Sequence, residues 1–569
     1  DRIEAICSRL EGIPLAIELA AAWVRVLSPT QLIEMLDDRF RLLRRRDRAA
    51  TSHHQTLEET IGWSYDRLAP HERTLLQRLA VFRGGFSLEA TEQLCGYEPL
   101  AAPEVVHVLR RLVDQSLVTR LGDDRFRLLE TVRQYAAQRL DNAEEGVLRR
   151  RHAEYYLRAG PQGTLGVPPL GSRLEWYAHR DLEYANYRSA LEWAFDAGDL
   201  DLAMGLTIEL GNYWLNSGCC LAEGDRWLQT LLARVDRTTS PDLMRVLTFA
   251  ANQAAVLGRY REATHLVDEL SVMAEELDDP GGMASALTIK GAIAQAIGTL
   301  DDALTAAEEA RRLAIATGDP RTTDKLLHLV WVLLSMGRYD EAEARLAEHH
   351  RLIEEQSDEE GRALQTMWRG IVAYCRNDLD TAARELQASI EEMPDVIRSG
   401  KAFARLHAAK TAVSRGETDR AAVIARTSAE AGRSLGEPLI EGDAMLVEAE
   451  AAIAVGDPDR AAVLIDSATR LLGTANARRL GSRIAAARAA LLIERHPEEA
   501  ALWLGTAHTL VAAMGAVRPE PEQERFDALQ TRAREALGTA EFHTLRARGA
   551  RLDADAALAR TRKVAGRWA

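Results

Sequence analysis

The chain predicts a mainly α-helical protein in which stacked helix pairs follow a smaller helical module carrying one β-hairpin. Three observations predict it. Long stretches are built from Ala, Leu, Glu and Arg, which are strong helix formers, while aromatics are only 5% of the 569 residues. Two short alternating runs, SLVTRL and RFRLL, flank a Gly-Asp-Asp turn in the first quarter. A motif of Gly, two variable residues, two polar residues and Ala then recurs from Gly258 onward with a period near 40.

Composition narrows the classes. With 47% hydrophobic and 28% charged residues, the chain can form cores and is not a disordered polymer. A net charge of −15 argues against a protein that coats nucleic acid without specificity. The five cysteines show no metal-type spacing, which reads as reduced thiols of a cytoplasmic protein. Cys219-Cys220 could form a redox pair, although small buried side chains is the simpler reading. The most apolar run, IELAAAWVRVL, is too short for a membrane span and carries Glu18 and Arg25. A first residue Asp1 inside a helical pattern reads as part of a longer polypeptide.

Residues 1–48 open with two helical patterns meeting at Gly12-Ile13-Pro14-Leu15, where Pro14 suits the first turn of the second helix. Ser28-Pro29-Thr30-Gln31 then reads as a capping box that starts a third helix. The Arg-rich run from Arg39 to Arg48 reads as a solvated connector; contact with DNA phosphates is the competing reading. Residues 49–145 give a helix opened by Thr56 and Glu59, then helices through PHERTLLQRL, SLEATEQL and VVHVLRRLVDQ, and then the hairpin. Helices followed by such a hairpin make a winged-helix pattern. Residues 146–200 hold a Gly- and Pro-rich linker, Ala159 to Ser172, and a helical adaptor with Trp176, Tyr177, Tyr184, Tyr187 and Trp193 as its core stripe.

At this point GIPLAIELAA resembles the G-x-P-L motif of NB-ARC-type signalling ATPases of the STAND class, and WSYDRLAPHERTLLQRLAVFRGGF resembles their winged-helix segment. The similar bacterial branch includes LuxR-type and AfsR-like transcriptional regulators. The resemblance implies that Gly12, Pro14 and Leu15 form the adenine-side wall of a site for ATP or ADP. Leu129 and Glu130 stand where that class commonly has a His-Asp sensor of the β-phosphate. Leu129 has no donor for a phosphate oxygen and Glu130 would repel one; local capping or pairing by Glu130 is the alternative. No G-x-x-x-x-G-K-[ST] occurs, so a phosphate loop is expected upstream of Asp1, and this chain alone is expected to bind nucleotide poorly and to show no ATPase turnover. The parent could be a slow ATPase switch.

Residues 201–540 carry the repeats. Anchors fall at Gly258, Gly298, Gly337, Asn377, Gly416 and Gly456, alternately 40 and 39 apart, and one step further each way lands on Gly218 and His496. Such an anchor ends the first helix of a pair at positive φ, and the Ala five residues on lets the paired helices approach closely. The motif resembles tetratricopeptide repeats of long period, as in the sensor domain of maltose-type bacterial activators. Trp331 and Trp368 could line the resulting groove or fill its core. Residues 541–569 read as a tail that resembles the stretch preceding a LuxR-type DNA-binding domain.

No catalytic constellation occurs, and His53-His54 and His349-His350 lack partners of metal-ligand type. The expected function is a signal-transducing regulator: the repeats bind a protein or small-molecule inducer, and the winged helix couples that to an upstream nucleotide switch. DNA would be met only through a domain outside the chain, with self-association on activation and no membrane contact. A repeat scaffold without a working nucleotide site is one alternative. The sensor part of a multidomain enzyme, such as a cyclase-linked ATPase, is another.

Overall fold

The structure, a computed structural model, describes residues 2–9, 28–35, 57–115, 117–122, 124–159, 173–216, 220–319, 322–356, 359–395, 397–472, 478–552 and 554–563. Two compact units divide the chain. The first holds the described residues up to 159 and then 179–206; the second holds 173–178 and everything from 207 onward. Among the described residues no helix is long and apolar enough to cross a membrane.

In the first unit, the expected capping box at Ser28 is present: Ser28 N–H donates to Gln31 Oε1 at 3.0 Å, and Gln31 N–H donates to Ser28 Oγ at 3.3 Å. Helix Pro29–Met35 follows it. The next helix spans Leu57–Asp66; Thr56, its expected cap, lies outside the described residues, as does the Arg-rich run. Helix α1 (Pro70–Leu79) starts with Glu72 accepting from Ala69 N–H at 2.8 Å and buries Leu75, Leu76 and Leu79 completely. Helix α2 (Leu88–Cys95) is capped by Ser87 Oγ, and α3 (Ala102–Asp114) buries Val105, Val108, Leu109 and Leu112 at helical spacing.

The hairpin is formed by β2 (Val118–Arg120) and β3 (Arg125–Leu128), with Thr119 opposite Arg127. A third strand, β1 (Gly85–Ser87), pairs antiparallel to β3, so the sheet order is β1-β3-β2. Three residues are too few for alternation to reveal a strand in sequence. Helix α4 (Glu130–Ala137) follows β3 directly. The adaptor helix docks within this unit: Asn186 accepts from Arg83 N–H at 2.7 Å and donates to Gly85 O at 2.9 Å.

One buried cation ties the unit together. The Arg78 guanidinium donates to Glu144 Oε1 (2.7 Å) and to the carbonyls of Cys95 (2.8 Å), Tyr97 (2.6 Å) and Glu98 (2.8 Å), and lies over the Tyr97 ring. Every donor that points inward is matched, which makes a buried charge tolerable.

In the second unit the anchors are realised in the backbone. Gly258, Gly298, Gly337, Gly416 and Gly456 have φ between 75° and 93°, and Asn377 has φ of 62°. The alanines five residues on, Ala263, Ala303, Ala342, Ala382, Ala421 and Ala461, are all fully buried where paired helices meet. The extension to His496 is off by one residue. His496 has φ of −140° and is the N-cap of the helix Pro497–Ala513, a place held by Arg259 and Thr299 in earlier units, and the matching buried alanine is Ala500. The extension to Gly218 lies outside the described residues.

The first helices of the later pairs are α5 (Pro280–Ile297), α6 (Thr322–Ser335), α7 (Glu359–Cys375), α8 (Arg398–Ser414), α9 (Pro438–Ala454) and α10 (Arg478–Leu492). The array curls until α5 touches α10. Helices α11 (Pro497–Ala513), α12 (Glu520–Leu537), α13 (Thr539–Ala550) and α14 (Ala554–Lys563) complete it. Where a tail was expected from 541, α13 crosses α11 backbone to backbone at Gly505 and Gly549, and α14 places Ala557 in the core of the last repeats. Trp368 is buried and Trp331 half-buried around Phe403; both pack in the repeat core and both also line the small space beside it.

Candidate functional site

Gly12, Pro14 and Leu15, and residues 160–172 of the linker, lie outside the described residues. Leu129 is the N-cap residue of α4 and offers no side-chain cap. Glu130 turns onto its own helix: Arg133 donates to it at 2.7 and 2.8 Å, Gln134 at 2.9 Å, and Arg83 stands 3.9 Å away. These partners of Glu130 are local in sequence, apart from Arg83.

Polar chemistry is instead concentrated on the inner face of the repeats, where the array brings α6, α7, α8 and α10 together. Lys410 on α8 is buried and bonds Asp443 at 2.6 Å. Arg483 on α10 pairs with Asp443 and, at 2.9 Å, with Glu450. Arg479 reaches Ser335 Oγ at 3.5 Å. Burial alone would raise the carboxyl pKa of Asp443, but Arg483 and Lys410 outweigh it and hold the group well below the usual carboxylate range. Burial, reinforced by Arg483, lowers the Lys410 ammonium.

A groove open to an inducer was expected here. The structure fills it with residues 514–526, the α11–α12 turn and the first turns of α12. Val517 N–H donates to Ser335 O at 2.9 Å. Tyr374 OH donates to Glu522 Oε1 at 3.3 Å, and Lys410 stands 3.9 Å from the same oxygen. Asn377 donates to Glu524 at 3.0 Å, and Arg525 donates to Ser414 Oγ at 2.6 Å. Burial pushes the Glu522 carboxyl up, yet Arg483, Lys410 and Arg525 hold it at about 2. The space left between Trp331, Trp368, Tyr374, His407, Lys410 and Glu522 is about 20 Å³, room for one water.

This arrangement can hold a carboxylate. Burial pushes the Cys375 thiol up to about 12, which keeps it protonated and inert. His349 is buried on Gln365 at 2.6 Å. Among the described residues no group of three or more His, Cys, Asp or Glu could hold a metal ion. Lys410, Asp443, Arg483 and Glu522 escaped the sequence reading. The one available signal was a lysine among alanines in the apolar run FARLHAAKTAV.

Comparison with known proteins defines the smaller module. Residues 68–141 match a winged helix-turn-helix domain. The chain shares 36% identity over 299 residues with Rv0890c of Mycobacterium tuberculosis, named as an HTH-type transcriptional regulator; the match covers 50% of this chain and 33% of that one. An uncharacterized protein of the same species, Rv0894, is 42% identical over 144 residues, 25% of this chain and 37% of its own length. The chain thus spans about a third of the curated relatives it matches. Among solved structures, a STAND protein with a tetratricopeptide repeat sensor from Pyrococcus horikoshii overlays 91% of this chain and 74% of its own, at 15% identity and a TM-score of 0.42. A Rap protein complexed with Competence and Sporulation Factor overlays 69% of this chain and 99% of its own, at 12% identity and a TM-score of 0.44.

Proposed function

We propose that this chain is the sensing and coupling part of a signal-transducing transcriptional regulator of the cytoplasm. The repeats bind an inducer or protein partner, and the winged helix passes that event to a nucleotide switch, for which Gly12, Pro14 and Leu15 supply the adenine-side wall. The observations that carry the reading are the match of residues 68–141 to a winged helix-turn-helix domain and the 36% identity over 299 residues with a protein named as an HTH-type transcriptional regulator. ATP or ADP is the cofactor of the parent protein, and DNA is met through another domain.

The surface of α3 supports a coupling role for this winged helix over base reading. Its exposed face carries Glu104 and Asp114 beside Arg110 and Arg111, one carboxylate per cation, and Arg111 also faces Glu72 at 3.6 Å. A helix that docks on phosphates needs an excess of positive charge. The pairing of Glu130 with Arg133 favours a second reading, a repeat scaffold without a working nucleotide site.

Titration of the longest natural polypeptide with labelled ATP and ADP separates the two. Micromolar binding that weakens on Pro14→Ala supports the switch, and no binding of either nucleotide overturns it. A reporter driven by the parent's own promoter then tests transcriptional output.

A further inference from the structure

The segment 514–526 lies across the turns of successive repeats as a bound peptide would. Met514 packs on Gly298 and Val517 on Gly337, where an added Cβ would collide with their side chains. Glu524 then meets Asn377, and Arg525 meets Ser414. Three consecutive anchors are thus covered in order.

The helix that delivers this segment is weakly rooted. Pro438–Ala454 buries 11 of its 17 residues, whereas α12 buries only Pro521, Phe526 and Ala533. Polar contacts hold it more than apolar area does, so its release exposes little apolar surface. Release would take Glu522 away from Lys410 (3.9 Å) and Arg525 away from Glu450 (3.6 Å), leaving the largely buried side chains of Lys410 and Arg483 with Asp443 and Glu450, and the exposed Arg479 beside Ser335. Glu522 accepts from Tyr374 OH beside the Lys410 ammonium, so a vacated groove favours a replacement with a carboxylate at that place. Beside the cations, Trp331, Trp368 and Ile371 line the space reached by Val517 and Pro519.

We propose that residues 514–526 are a resident, displaceable ligand of the repeat groove. The partner that displaces them is an extended acidic peptide, with a small apolar side chain at the place of Val517 and a carboxylate at the place of Glu522. This rests on reading the repeats as a sensor and names the chemistry they sense.

The test uses the full chain and a labelled synthetic peptide, MGAVRPEPEQERF, copied from residues 514–526. Glu522→Gln loosens the resident copy, so α12 amides should exchange faster and the peptide should bind the variant about tenfold tighter than the parent chain, or better. A peptide with Gln in place of that Glu should lose binding. Val517→Asp loosens the other end and replaces Glu522→Gln if that variant does not fold. Faster exchange without peptide binding would show a fixed plug and overturn the proposal, as would unchanged exchange in both variants. Succinate competing as well as the peptide would make the ligand a small dicarboxylate and overturn the peptide claim. No nucleotide or DNA enters this assay, so its failure is distinct from failure of the regulator reading.

Discussion

The winged helix and the repeat array solve the same problem, burying a chain with few aromatics, in opposite ways. The winged helix depends on single side chains that reach far along the sequence, Arg78 above all, which joins α1 to the 95–98 turn and to Glu144. The array repeats one local solution, a left-handed anchor followed by a buried alanine, so each unit leans mainly on its neighbours, and residues 514–526 add the longer-range contacts. Damage should therefore spread through the first unit and stay local in the second.

The largest effect is expected at the clamp. Arg78→Met breaks the ion pair with Glu144 and takes a donor from three carbonyls, of which Cys95 and Tyr97 keep backbone donors, and it should cost about 3–5 kcal/mol, seen as early melting with exchange rising across residues 68–141. A change confined to the 95–98 turn would erase the contrast between the units. Acid should come next. Burial pushes His152 down to about 3, while the unfolded imidazole titrates near pH ~6.5. The unfolded chain then binds more protons, so the first unit loses stability as pH falls from 6.5 toward 3. His152→Phe should flatten that slope in acid denaturation. In the array, Glu522 held at about 2 gives stability that is complete above its unfolded value of about 4.3 and is lost as pH falls through 2. Glu522→Gln should lower the stability at neutral pH and remove only the loss below about pH 4.3, because His328, pushed to about 4 by burial, still acts above it.

Overpacking is the next smaller probe. Ala382→Leu places three extra carbons where a helix pair meets and should cost about 1–3 kcal/mol, with exchange changes limited to adjoining units. Least of all, Gly416→Ala strains a backbone at φ of 76° that has open space around it, for about 1 kcal/mol by urea denaturation. Loss of the whole array in either variant would contradict nearest-neighbour stability.

What could be read from the residues follows from range. Gly258 to Gly456 were legible because positive φ is a demand each position makes alone. Ser28 and Gln31 were legible because a capping box spans one turn. β1 was hidden by its brevity, and the slip at His496 by a second alanine, Ala501, that lets HPEEAA fit the motif one register away, although Pro497 opens its helix as Pro458 does. The filled groove was invisible for a different reason. Tyr374 and Glu522 are 148 positions apart, and only the curl of the array decides that they meet.

Asn377 has a wider meaning. Five anchors are glycine, and the one exception sends its side-chain amide to Glu524. Glycine would satisfy the backbone there but could not make that bond. In a periodic chain, then, departures from the consensus carry information that the consensus cannot: they record where a distant segment has left its imprint. Comparing the units of one molecule with each other, position by position, becomes a way to locate long-range contacts without any second sequence.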